Sequence, residues 1–238
     1  MALGSQPRWT VRTADTQVDL DVGLRNYMLR IYNYMASGLA LTGIVAFVAA
    51  NSGFIQSIYR TPVMWLVILA PFGLVMLLSY GVNRMSAAAT QGVFWLYSGL
   101  MGLSLSTIFL VYTYQSIARV FFITAGTFAA MSIFGYTTKR DLTQWGSFLW
   151  MGLIGIIIAS LVNMFVASSA LQFAISVIGV IVFTGLTAWD TQQIKEMYFE
   201  GDYGEVASKK AVMGALRLYL DFINLFMMLM QLMGTRRD

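Results

Sequence analysis

Residues 142–189 read LTQWGSFLWMGLIGIIIASLVNMFVASSALQFAISVIGVIVFTGLTAW, 48 consecutive positions without a charged side chain. A helix crosses the hydrocarbon core with about 20 mostly apolar residues, so this run holds two membrane-spanning helices with a turn near Ala167–Ala170. The same count extends outward. Between Ile31 and Ile194 the only charged residues are Arg60, Arg84, Arg119, Lys139, Arg140, Asp141 and Asp190, too few to coat a water-facing surface. Runs 31–59 and 61–83 hold one span each, and 85–138, broken only by Arg119, holds two with a turn near Thr113–Ser116. A last apolar segment, Ala211 to Met233, follows the polar stretch Lys195–Lys210. The fold class is therefore an all-α polytopic membrane protein of seven transmembrane helices. Residues 1–30 form a polar cytoplasmic tail and 31–238 one seven-helix domain.

Composition narrows the chemistry. Hydrophobic residues make up 58% of the chain and charged residues 11%, less than half the charged share of ordinary globular domains. With Cys 0 and His 0, disulfides, thiol nucleophiles, thiolate or imidazole metal sites, axial haem histidines and Ser-His or Cys-His catalysis are excluded for this chain alone. The first 30 residues carry Asp15, Asp19 and Asp21 without an apolar core and do not read as a signal peptide. Order is expected from about Val18, with Asp19 a cap for a helix leading into the first span.

The basic residues are scattered through short loops, which argues for topology rather than a nucleic-acid patch. With the N-terminus inside, the inner segments carry Arg8, Arg12, Arg25, Arg30, Arg84, Lys139, Arg140, Lys195, Lys209 and Lys210. The outer ones carry Arg60, Arg119, Arg236 and Arg237. Ten against four favours N-in, C-out. Trp65, Trp95, Trp145 and Trp189, near span ends, fit interfacial belts. Pro71 lies inside the second span and should kink it. Ser98, Gly102 and Ser106, and Gly155, Ala159, Asn163 and Ala167, recur every four residues and read as close helix contacts.

Charge at membrane depth costs roughly 2.5–3.5 kcal/mol on insertion scales and usually meets a partner or a wet cavity. In the last span, Gly214, Arg217, Asp221, Asn224 and Gln231 share one helix face at about 100° per residue. That stripe places the last helix in the middle of the bundle, lining an interior path. Asp190 ends the sixth span on the side where the seventh begins, about ten residues or roughly 15 Å from Asp221, so the carboxyls can meet. Two apposed carboxylates cannot both ionise cheaply and should share a proton, titrating as a unit. With histidine absent, a response between roughly pH 5 and 8 would have to come from carboxyls in an unusual setting. Asp221 can instead pair with Arg217 at i, i+4, Asp190 can simply sit in the interface, and Arg84 is either a topology anchor or a latch reaching Asp190.

Leu218-Tyr-Leu-Asp-Phe-Ile-Asn-Leu-Phe226 closely resembles the last-helix motif of the Bax inhibitor-1 family. Ile181-Val-Phe-Thr-Gly185 leading to Asp190, Gln193-Ile-Lys195, and Lys139-Arg-Asp-Leu142 support the resemblance, which covers about Leu24 to Gly234. It implies seven helices with the last enclosed by the other six. It also implies a pH-sensitive calcium leak controlled by a di-aspartyl pair, which maps onto Asp190 and Asp221. A latch arginine of the second helix would fall near Arg84, although Gly81-Val-Asn-Arg-Met-Ser86 matches loosely. Arg217 departs from the family pattern. The charged tail of animal members is not seen after Gly234, so cell-death regulation is not expected to carry over.

The leading expectation is a pH-gated, calcium-permeable leak channel of a bacterial inner membrane, with bilayer lipid, calcium and protons as partners. Calcium would pass near Asp190 and Asp221 without a stable metal site, and no cofactor is implied. A proton-coupled cation exchanger would use the same pair. A non-conducting regulator of another membrane protein, such as a quality-control protease, is a further alternative. An intramembrane aspartyl protease is disfavoured because Asp221 follows Leu218-Tyr-Leu220 instead of a Gly-x-Gly lead, and no enzymatic activity is expected.

Overall fold

A computed structural model describes residues 9–58 and 61–237. Among the described residues nine α-helices follow one another: α1 Trp9–Asn51, α2 Phe54–Ile58, α3 Val63–Gly81, α4 Ala87–Leu105, α5 Ile108–Val111, α6 Tyr114–Thr137, α7 Thr143–Val166, α8 Ser169–Glu196 and α9 Glu205–Met233. Seven segments of the described residues are long and apolar enough to cross a membrane: Val22–Asn51, Val63–Arg84, Ala87–Val111, Tyr114–Thr137, Thr143–Val166, Ser169–Glu196 and Glu205–Met233. The short α2 and α5 lie at the ends of the first and third of these.

Helix boundaries follow from local chemistry. Hydroxyls of Ser86, Thr113 and Ser168 accept from backbone N–H groups three residues on and start α4, α6 and α8, the usual role of a side-chain cap. At the end of α7, Ala167 adopts φ 52°, which a residue with a Cβ rarely does. The Asn163 side chain supports it by accepting from Ser168 N–H at 2.9 Å.

Burial identifies the central element. In the most apolar window of α9, 67% of residues are buried, against 17–39% in the other spans. Helix α9 packs on α1, α4, α6 and α8, while α3 rests on α4 and α7 on α8. Four helices thus make the main contacts with the central one. Two of the bundle's contacts are backbone approaches. A Cβ on Gly135 of α6 would strike the Ala188 carbonyl of α8, and one on Gly102 of α4 would strike the Thr42 carbonyl of α1.

Several local expectations differ from the fold. Helix α1 already runs from Trp9, so Asp19 stands inside the helix rather than at its start; residues 10–22 contain no glycine or proline to interrupt it. The part of the tail before Trp9 lies outside the described residues. Ser98, Gly102 and Ser106 are buried, but Gly155 is exposed and faces open space. Close approach of α7 to α8 instead uses Gly146 against Trp189 and Gly152 against Val182. Trp65 and Trp145 are exposed, as belt residues should be, whereas Trp95 packs at an angle against the rings of Tyr34 and Phe94 and Trp189 covers Gly146.

Candidate functional site

The last three turns of α8 are its most enclosed part, with Leu186, Thr187, Ala188, Asp190, Thr191, Gln192 and Ile194 all buried. Asp190 is 9% exposed and Asp221 5%. Their carboxyls face each other across the α8–α9 contact, close enough to interact. As two carboxylates they offer only acceptors, and Asp221 Oδ2 is buried without a hydrogen-bond partner. A proton between them turns the contact into a hydrogen bond and removes one buried charge.

Arg217, one turn before Asp221 on α9, places Nη1 at 3.8 Å from Asp190 Oδ1. Its side chain is 47% exposed, so the guanidinium stands at the edge of the buried pair. The two acids and this cation form a three-group cluster in which a proton, a cation or a movement of Arg217 changes the balance of charge. Among the described residues no group of three acidic side chains is positioned to hold a metal ion.

Farther along the α9 stripe, Asn224 donates to the Leu220 carbonyl of its own helix at 2.8 Å. Gln231 Oε1 accepts from Ser176 of α8 at 2.7 Å and from Gln172 at 2.5 Å. Gln172 Oε1 in turn accepts from Asn163 of α7 at 3.0 Å. The far end of the stripe is thus tied to α7 and α8 by amides.

The whole molecule has recognisable relatives. Residues 24–238 match the family model described as inhibitor of apoptosis-promoting Bax1. The chain belongs to the Bax inhibitor-1 family. It is 50% identical to RP147 of Rickettsia prowazekii over 230 residues, covering 96% of this chain and 98% of that one. It is 49% identical to the inner membrane protein YbhL of Escherichia coli K12 over 228 residues, covering 94% and 97%. A membrane protein of Streptococcus pyogenes, M6_Spy0327, is 35% identical over 217 residues, with 90% and 94% covered.

In this Bax inhibitor-1 family chain Arg84, the possible latch, is not joined to the aspartates by any of the described ion pairs. Arg84 ends a 3-10 turn, Val82–Arg84, after α3, and it is exposed. The cation beside the aspartates is Arg217, and it pairs with Asp190 on the neighbouring helix rather than with Asp221 on its own.

Two groups of polar residues escaped the sequence reading. Tyr32 of α1 and Ser132 of α6 share a hydrogen bond of 2.5 Å, and Ser132 lies 3.0 Å from the Thr191 hydroxyl of α8. This chain of hydroxyls ties three helices together beside Asp190. Gln192 accepts from Leu142 N–H and donates to the Arg140 carbonyl, both at 2.8 Å, holding the α6–α7 connection on α8. The adjacent run Asp190-Thr-Gln-Gln193 was the available signal, since uncharged polar residues inside a span need partners.

Proposed function

We propose that this chain is a pH-sensitive, calcium-permeable leak channel of a bacterial inner membrane, without enzymatic activity. The observation that carries the reading is the buried contact of Asp190 with Asp221 at the edge of which Arg217 stands. The name of its relative YbhL as an inner membrane protein supports the location. The ten-to-four distribution of basic loop residues supports an inside N-terminus.

In this mechanism one shared proton holds α8 to α9, and the remaining negative charge retains Arg217. A second proton cancels that charge, frees Arg217 and loosens the end of α9 from α8. Calcium then passes along the polar side of α9, drawn by the carboxyls and leaving readily because no fixed cage holds it.

The test uses proteoliposomes loaded with a calcium dye, comparing wild type with the Asp190→Asn/Asp221→Asn variant at about pH 6 and about pH 8. Flux that depends on pH in the wild type and loses that dependence in the variant is expected. Equal flux in both proteins at both pH values overturns the reading. Calcium movement driven by an imposed pH gradient at zero calcium gradient would instead assign a proton-coupled exchanger.

A further inference from the structure

Helices α1 and α6 both pack on α9 but barely on each other, and the seam between them is open. Two cavities lie along it. One of about 270 Å³ runs from Leu39 to Ala46 of α1, floored by Phe222 and Phe226 of α9. The other, about 540 Å³, lies between Arg25–Ala36 of α1 and Phe128–Tyr136 of α6. Both fall within segments that cross the membrane, so their open side faces lipid.

The larger cavity has the shape and polarity of an amphiphile's complement. From Arg25 to Ala36 is eleven residues, about 16 Å of helix, close to half of a hydrocarbon core of about 30 Å. That is the reach of one leaflet's acyl chain. Small side chains at Ala36 and Ala129 leave the groove, and Leu29 and Ile133 form its exposed flanks. The wall hydroxyls of Tyr32 and Ser132 are turned to each other and to Thr191, so they make no demand on an occupant. Polar character is confined to one end. Arg25 stands there, and Tyr136 at the same end carries Lys195, whose ammonium donates to its carbonyl at 2.9 Å and lies 5.3 Å from its ring centroid. Lys139 and Arg140 follow directly after α6. Basic groups at the rim of an apolar groove between transmembrane helices suit a lipid phosphate.

We propose that the α1–α6 groove is a binding site for an anionic phospholipid, which lays an acyl chain between Ala36 and Ala129 and sets its phosphate at Arg25. The lipid enters sideways from the leaflet at the Arg25 end. Inside the groove it lies against Phe128, whose ring packs on Phe222 with centroids 5.6 Å apart, next in sequence to Asp221. The site stands independently of the calcium reading, since it needs only the groove, its charge and the bilayer.

The test measures lipid retention by the full chain, delipidated in a neutral detergent, with phosphatidylglycerol or phosphatidylcholine added back and bound lipid counted by native mass spectrometry. Wild type is expected to retain one phosphatidylglycerol about fivefold more tightly than phosphatidylcholine. Arg25→Gln should equalise the two lipids, and Ala36→Phe/Ala129→Phe should retain neither. Undiminished phosphatidylglycerol in the filled variant, or an unchanged preference in Arg25→Gln, overturns the site. A wild-type experiment decides the matter should the filled variant not fold. Phosphatidylglycerol with a photoreactive acyl chain should label α1 at 28–36 and α6 at 128–136, and labelling confined to other helices overturns the proposal.

Discussion

Arg217 Nη1 lies 3.8 Å from Asp190 Oδ1, across the contact between α9 and α8, although Asp221 is only four positions away on its own helix. Helical spacing made Arg217 and Asp221 neighbours, yet the buried acid faces Asp190 and the cation serves the pair from its edge. Removing that cation changes the charge seen by both carboxyls, and one pH unit corresponds to about 1.4 kcal/mol of such interaction. In proteoliposomes, Arg217→Gln should displace the pH midpoint of calcium flux by about one unit or more, whereas Arg84→Gln should leave it in place. Coincident midpoints for wild type and Arg217→Gln would remove Arg217 from the site.

How far these relationships could be read beforehand depends on their range. Charge-free runs gave the seven spans, and the turns at Thr113 and Ala167–Ser168 fell where expected because charge and length act along the chain. The polar face of α9 likewise announced a central helix. Pairing across helices was not legible. Which acid Arg217 meets depends on how α8 is rotated against α9, and Gly155 shows that a small-residue spacing does not say which face meets a neighbour. The hydroxyls of Tyr32, Ser132 and Thr191 lie on three separate helices, and no sequence interval connects them.

The approach of α6 to α8 sets the position of Asp190. At Gly135 a side chain would collide with the Ala188 carbonyl, and backbone cannot turn aside as a side chain can. Gly135→Val should destabilise the protein by about 1–3 kcal/mol, the range for overpacking, and should also disturb pH-dependent flux. Gly155→Ala, into open space, should change neither. Thermal unfolding in detergent checks the first effect; equal melting of Gly135→Val and wild type would contradict the close contact.

At the start of α7, the Thr143 hydroxyl beside Asp141 and the Thr143 backbone N–H, which donates to Asp141 Oδ1 at 2.8 Å, hold the Asp141 carboxyl below the ordinary range. A carboxyl lowered by folding adds stability above its unfolded value, about 3.9, and loses it as pH falls through the lower folded value. The melting-temperature gap between wild type and Asp141→Ala should therefore be constant above about pH 5 and shrink on further acidification. Asp141→Asn, whose amide oxygen can still accept, should show little gap. A gap for Asp141→Ala that widens in acid would reverse this assignment.

The residues after α9 close the opposite end of the bundle. Thr113 N–H donates to the Thr235 carbonyl at 3.0 Å and Arg237 N–H to the Val111 carbonyl at 2.9 Å, pairing the terminal residues with the α5–α6 connection. The Arg237 guanidinium donates to the Phe109 carbonyl at 3.0 Å and lies 4.5 Å from the Tyr114 ring centroid, while Arg119 donates to the Met233 carbonyl at 3.1 Å. A net hydrogen bond is worth about 1 kcal/mol, or about fivefold in an opening equilibrium. Truncation after Gly234 should speed amide exchange at Thr113 by about that factor or more. Arg237→Ala, which keeps both backbone bonds, should produce a smaller change. Exchange at Thr113 that ignores the truncation would mean that the α5–α6 connection holds its shape without the C-terminal residues, and that they only rest on it.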